Sequence, residues 1–164
     1  MKRKLYNVEE EENKLEAFLL LMGEQERQFI EEAKRDAYQL TIDHSIDSLE
    51  ELERYLRDKR VNFHDQTDNS LARRAHCWYY LGEVVRQTYG GFWRFSMNKE
   101  NTANWGCYVI EGHTPVEGVE FEPLGLVKGF TEDGYPSPYF LDAILAQVDP
   151  ENDVIDWDTM PTEE

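Results

Sequence analysis

The reactive nitrogen and sulfur of this chain sit in four histidines and two cysteines, and none of them has a catalytic spacing. His44, His64, His76 and His113 lie 12 to 37 residues apart. They form no HxH, HExxH or Cys-x-x-Cys companion set, so neither a metal nor another cofactor is expected. His76 and Cys77 are neighbours in AHCWYY, yet a thiol nucleophile needs its base within hydrogen-bond reach. Successive residues on a helix point about 100° apart, so Cys77 reads as a small core residue beside Trp78. Cys107 stays open as a thiol that could meet a histidine in space. In DHSID, residues 43–47, two acids flank a histidine and a serine, which is what capping of a helix start needs. Glu83 is a carboxylate inside a helical apolar pattern. Arg86 follows at i+3, so a surface ion pair is the ordinary reading; the alternative places Glu83 at the rim of a helix–sheet seam. GFWRF and GLVKGF lack phosphate-loop glycine spacing. No catalytic residue is expected, and a hydrolase built on Cys107 or Glu83 with a histidine is the rival reading.

The elements that would carry these residues are helical in the first half. Residues 8–22 put Leu15, Phe18, Leu19 and Met22 on one face, with Gly23 as a stop. Residues 24–41 do the same with Phe29, Ile30, Ala33, Ala37 and Leu40. SLEELERYLRDK opens on Ser48 and returns Glu51 three residues later, a capping-box pattern. After the polar connector 61–70, Leu71, Ala75, Trp78, Gly82, Val85 and Tyr89 repeat at spacings of three and four, a long helix over 67–89. Gly90-Gly91 ends that period. FWRFSMN then alternates, with Trp93, Phe95 and Met97 on one face and Arg94 and Ser96 on the other. WGCYVIEG reads as the returning strand, and GVEFEPLGLVKGF as one or two further strands broken at Pro123. DGYPSP is a loop, and PYFLDAILAQV a short helix with Phe140, Ile144 and Leu145 inward. The order predicts an α+β fold: N-terminal helices, one long central helix on a small antiparallel meander, and a short C-terminal helix. It reads as a single domain over 1–164, with a helical N-terminal region over 1–60, a helix-plus-sheet core over 67–148 and an acidic tail over 149–164.

YYLGEVVRQTYGGFWRF, residues 79–95, is the most patterned stretch. A helical glycine costs about 1 kcal/mol relative to alanine, so Gly82 on the apolar face implies a ring or backbone in close approach. The aromatic residues after the turn are the candidates. The stretch resembles a group of small bacterial proteins that comprises domains of unknown function and proposed immunity proteins of toxin systems. They share a Leu-Gly-Glu step on a helix, a Gly-Gly ending and a Trp-bearing strand, and FEPLGLVKGF is similar to their strand leading to Pro and then Val-Lys. The resemblance covers about Leu71–Phe130, under half the chain, and brings no catalytic residues with it. It implies a stand-alone cytosolic protein that in some members inhibits a cognate toxin.

Charge is distributed unevenly. The chain carries a net −17. Residues 1–99 hold 19 acids and 16 bases, a net of −3, whereas residues 100–164 hold 15 acids and only Lys128, a net of −14. Such a field repels nucleic-acid phosphate and anionic lipid and attracts basic protein surfaces, so neither nucleic acid nor membrane is expected as a partner. Glu111, Glu117, Glu120, Glu122, Glu132, Asp133, Asp153, Asp156 and Asp158, with Tyr135 and Trp157 as aromatic anchors, form the expected partner surface. Alternation with Val119 and Phe121 would put Glu120 and Glu122 on the outer face of a strand. Two cysteines make no disulfide framework, no apolar region follows the basic N-terminus, and the longest apolar run, AFLLLM, is too short to span a bilayer; a cytoplasmic location is expected. The expected function is an immunity protein that occludes the active site of a basic, nuclease-like toxin domain without turnover. An acidic housekeeping protein with no such partner is the remaining alternative, and the oligomeric state is left open.

Overall fold

A computed structural model describes residues 4–149 of the chain. Among these residues five α-helices surround a three-stranded antiparallel sheet, an α+β fold with the long helix against the sheet. Helix α1 runs Val8–Arg35 without interruption. The break expected at Gly23 is absent, because Leu15, Met22, Glu26, Phe29, Ile30 and Ala33 continue one buried stripe on both sides of it. Asn7 accepts from the Glu10 amide at the start, and three glutamates fill the first turn, as the helix dipole favours. The helix ends six residues earlier than the pattern suggests. Tyr38 and Ala37 donate back to the Ala33 and Lys34 carbonyls, with Ala37 at φ +69, a Schellman ending carried by alanine rather than glycine. Leu40 is still fully buried, but it reaches the core from the connector.

Helix α2, Leu49–Asp58, starts without the expected capping box. The Ser48 hydroxyl donates to the Ser45 carbonyl and shares a hydrogen bond with the Tyr80 hydroxyl at 2.6 Å. Glu51 instead holds Arg54 and the Gln39 amide. Helix α3, Asp68–Tyr89, has the expected bounds, and Thr67 caps it. Its burial is not confined to one face: every residue from His76 to Val85 is buried, while Leu71, expected inside, is 39% exposed. The helix is the axis around which the other elements pack.

Strands β1, Phe92–Phe95, β2, Tyr108–Glu111, and β3, Glu120–Phe121, pair in sequence order, with Trp93 opposite Ile110 and Ile110 opposite Phe121. The alternation of FWRFSMN stops at Phe95, and Ser96 is buried rather than turned outward. The reading of GVEFEPLGLVKGF as strands holds only for two residues. From Pro123 the chain is helix α4, Pro123–Asp133. Proline there occupies the first turn, where its missing N–H costs nothing, and the Glu122 carboxylate accepts from the Gly125 amide at 2.6 Å. Helix α5, Phe140–Val148, buries Phe140 and Ile144, while Leu145 is exposed. One core cluster extends from Phe29 to Ile144, so the N-terminal helices belong to the same packing as the sheet.

Glu53 on α2 holds this C-terminal piece in place. It is fully buried and accepts from the Ser137 hydroxyl and from the Tyr139 and Phe140 amides. One turn on, Arg57 donates to the Tyr135 carbonyl and the Ser137 hydroxyl. The DGYPSP loop is therefore exposed but tied at both ends.

Candidate functional site

The seam between α3 and β1 accounts for Gly82. A Cβ at that position would overlap the Trp93 ring, so glycine lets the indole lie on the helix backbone. Tyr79 stacks on the same indole, with ring centroids 6.0 Å apart and planes 9° apart. Glu83 is paired with Arg86 at 2.5 Å and accepts from the Tyr79 hydroxyl at 3.0 Å. The ion pair is the one expected, but its acidic end is buried, with Glu83 7% exposed and Arg86 half-buried. Both carboxylate oxygens are engaged, and no histidine is among their partners.

The expected acidic surface divides into separate places. On the face of the sheet away from α3, Glu111 pairs with Arg94 at 3.0 Å. Glu120 shares that face, as its register opposite Glu111 requires, but it is not outward-facing in the sense expected. Residues 96–104 fold over it; Ser96 donates to it at 2.6 Å and Asn104 at 3.5 Å, leaving it 6% exposed. Glu122 is not on a strand; it caps α4. Glu117 is exposed in the loop after β2. Glu132, Asp133 and Tyr135 do come together at the far end of α4, where Tyr135 stacks on Tyr139 at 4.7 Å. That end lies about 15 Å from Glu122 along the helix, at 1.5 Å per residue. Asp153, Asp156, Trp157 and Asp158 lie outside the described residues.

Around Glu122 the structure builds a pocket of about 270 Å³. Its walls are the rings of Tyr6, Trp78, Phe95 and Tyr108, with the side chains of Cys107 and Leu124 and the carboxylates of Glu11 and Glu122. The rings stand at steep angles rather than stacking. Tyr6 meets Phe95 at 79° and 5.0 Å, and Phe95 meets Tyr108 at 68° and 6.3 Å. Gly106, at φ +80, allows Tyr6 to close one side, since a Cβ there would come within 2.8 Å of the Tyr6 hydroxyl. The indole of Trp105 donates to the Lys4 carbonyl and so ties down the segment that carries Tyr6.

Two carboxyl groups stand at the pocket, and one of them, Glu11, is paired with Lys14 at 3.3 Å. Burial raises the Glu122 carboxyl above the ordinary range. Burial and then Glu122 and Glu120 raise the Cys107 thiol, and burial and then Glu11 raise the Tyr108 phenol. No histidine lines this pocket, so Cys107 has no base at hand. Trp78 and Phe95 belong to or adjoin the patterned stretch of sequence; Tyr6 and Glu11, from the first helical turn and the segment before it, gave no signal in the sequence.

The other reactive side chains are held structurally. Cys77 is fully buried and its thiol is pushed far up by burial. His44 contacts Glu26 at 2.6 Å inside the core, while the capping read for DHSID is carried by Ser45, which caps the short 3-10 turn leading into α2. His113 meets Gln147 at 2.7 Å. His76 stacks on Phe29 beside a larger cleft of about 430 Å³ between α1, α2 and α3. That cleft carries both signs, Glu32 and Arg73. Among the described residues no group of acids, histidines and cysteines has the arrangement of a metal site, and no helix is long and apolar enough to cross a membrane. No family model, curated protein or solved structure matches the chain.

Proposed function

We propose that this protein is a binding protein for a basic protein partner, and that the partner is a toxin domain whose active site it occludes without turnover. The observation that supports the binding reading is the aromatic pocket with its two carboxylates, in a chain whose residues 100–164 carry a net −14. An electronegative surface steers a cationic partner and raises its association rate, and buried rings beside the acids supply the anchor that charge alone lacks. The toxin assignment rests on the resemblance of Leu71–Phe130. A nuclease domain is the preferred class, because a site that grips phosphate is itself cationic. Cytoplasmic location follows from the same resemblance.

Binding to a basic toxin domain encoded beside the gene is the test. Mixing the purified proteins should give a tight complex that abolishes the toxin's activity. The association rate should fall roughly a hundredfold between low and high salt, as steered encounters do. Reversing Glu117, Glu132 and Asp133 together should slow association while leaving the melting temperature unchanged. No complex with such a partner removes the reading; a tight complex whose association rate ignores salt keeps the inhibitor and removes the electrostatic mechanism.

A further inference from the structure

We propose that the pocket between Tyr6, Trp78, Phe95 and Tyr108 is a cation cage that receives the alkylammonium end of a lysine side chain from the partner. The proposal rests on the binding reading above and names the chemical group that the site recognises. Ring faces carry negative charge density and attract a cation within about 6 Å of the ring centre. Here the rings of Tyr6, Trp78, Phe95 and Tyr108 line one small volume, packed edge-to-face or tilted on one another rather than stacked shut. At about 270 Å³ the space falls below the usual range for small-molecule pockets, roughly 300–1,000 Å³, and suits one side chain.

The carboxylates decide which cation. One oxygen of Glu122 is already engaged by the Gly125 amide at 2.6 Å, and Glu11 already has Lys14 at 3.3 Å. Neither offers a free pair of oxygens for the planar fork of an arginine. An ammonium needs only one acceptor and the ring faces. Burial first, and the neighbouring carboxylates second, raise the Cys107 thiol and the Tyr108 phenol, so both stay neutral and neither competes for the cation. The chain also shows the interaction in small: Lys4 Nζ lies 5.1 Å from the centre of the Tyr6 ring. The larger cleft beside His76 differs in having a guanidinium, that of Arg73, among its own lining residues, where the smaller pocket has no basic residue among its described lining.

The test needs no toxin. n-Butylammonium and the uncharged n-butanol are titrated into the full chain while the backbone amides of Gly106, Cys107 and Tyr108 are followed by NMR. Butylammonium should give saturable shifts at these amides, with an affinity about tenfold above that of butanol, the scale of a partly desolvated cation–π contact. Glu122→Gln and Glu11→Gln should each lower the butylammonium affinity several-fold and leave butanol unchanged, with a wild-type circular dichroism spectrum as the check on folding. As a second readout, a cationic aminoethyl thiosulfonate should modify Cys107 faster than an anionic sulfonatoethyl one, and butylammonium should slow it. Equal affinity for butanol, or shifts that do not saturate for either probe, overturns the cage. If the cage fails while the toxin complex forms and inhibits, only this inference falls. If butylammonium binds as expected while no basic partner does, the cage stands and the toxin reading falls.

Discussion

Two aromatic assemblies share strand β1 and differ in one respect, the presence of space. At the seam, Trp93 lies flat on Tyr79 and against the backbone at Gly82, with no room left over. Two residues on, Phe95 meets Tyr6 and Tyr108 at steep angles, and a cavity remains between the rings and Trp78. Both are built from rings; packing angle and the nearby carboxylate distinguish a closed joint from a cavity. In the seam Glu83 has an arginine and a phenol on it. At the pocket Glu122 has, among the described residues, only backbone amides, those of Gly125 and Leu124, and an unfavourable burial. The lesson is that aromatic density in a sequence marks where packing happens, whereas an incompletely partnered carboxylate beside it marks where a ligand can contribute.

Breaking the seam should have the largest effect. Gly82→Val forces a branched side chain into the indole and should destabilise the protein by about 3 kcal/mol, the upper range for overpacking, or a loss of roughly 9 °C in melting temperature for a chain of this size. Adding Trp93→Leu should recover some of that loss, since the two residues are in contact and their effects do not add. A wild-type melt for Gly82→Val would show that the seam is not tight. Next comes Glu53→Ala, which leaves the donors of Ser137, Tyr139 and Phe140 without an acceptor and should cost about 2 kcal/mol, with faster amide exchange at Tyr139 and Phe140 than elsewhere in α5.

A smaller effect separates the pocket from the seam by its pH dependence. The folded Glu122 carboxyl titrates above its unfolded value, so its contribution favours folding at low pH and is lost as pH rises through the folded value. Relative to wild type, Glu122→Gln should therefore be more stable at pH 7 than at pH 4; a constant difference across this window contradicts the assignment. The smallest effect concerns the thiols. In the native protein a disulfide reagent should label Cys107 alone, and Cys77 only after denaturant is added, as judged by peptide mass.

Much of the fold is legible in the sequence. The period of α3, its end at Gly90-Gly91 and the meander follow from patterns that local chemistry enforces. Gly82 as a close-approach position is legible too, because a helical glycine on an apolar face needs a reason. Sequence and structure diverge where one residue type serves two geometries. Gly23 has the character of a stop, but the stripe from Leu15 to Ala33 outweighs one glycine. Pro123 has the character of a strand breaker, but the preceding Glu122 makes it the first turn of a helix. Ser48 and Glu51 have the spacing of a capping box but are drawn off by Tyr80, Arg54 and Gln39. The acidic set is legible as a charge excess, not as a surface: Glu120 is covered by a loop whose path no periodicity encodes. Tyr6 and Glu11 of the pocket come from about 67 to 118 residues before its other walls, and only the folded chain brings them together.

The Glu53 clamp has a consequence for the order in which the molecule assembles. Its acceptors are filled by groups 84 to 87 residues downstream. A chain emerging from its N-terminus forms α2 long before Ser137 exists, and until then the carboxylate must stay hydrated, since a buried carboxylate without donors is costly. The segment that supplies these donors also packs directly on the carboxylate, so Glu53 is left to water until residues 137–140 dock on α2. Contacts of such long separation close late, so a chain ending before residue 137 should leave Glu53 exposed to solvent. One buried side chain thus ties two distant stretches of the sequence together: α2 offers the acceptor, and the loop that ends in α5 covers and fills it.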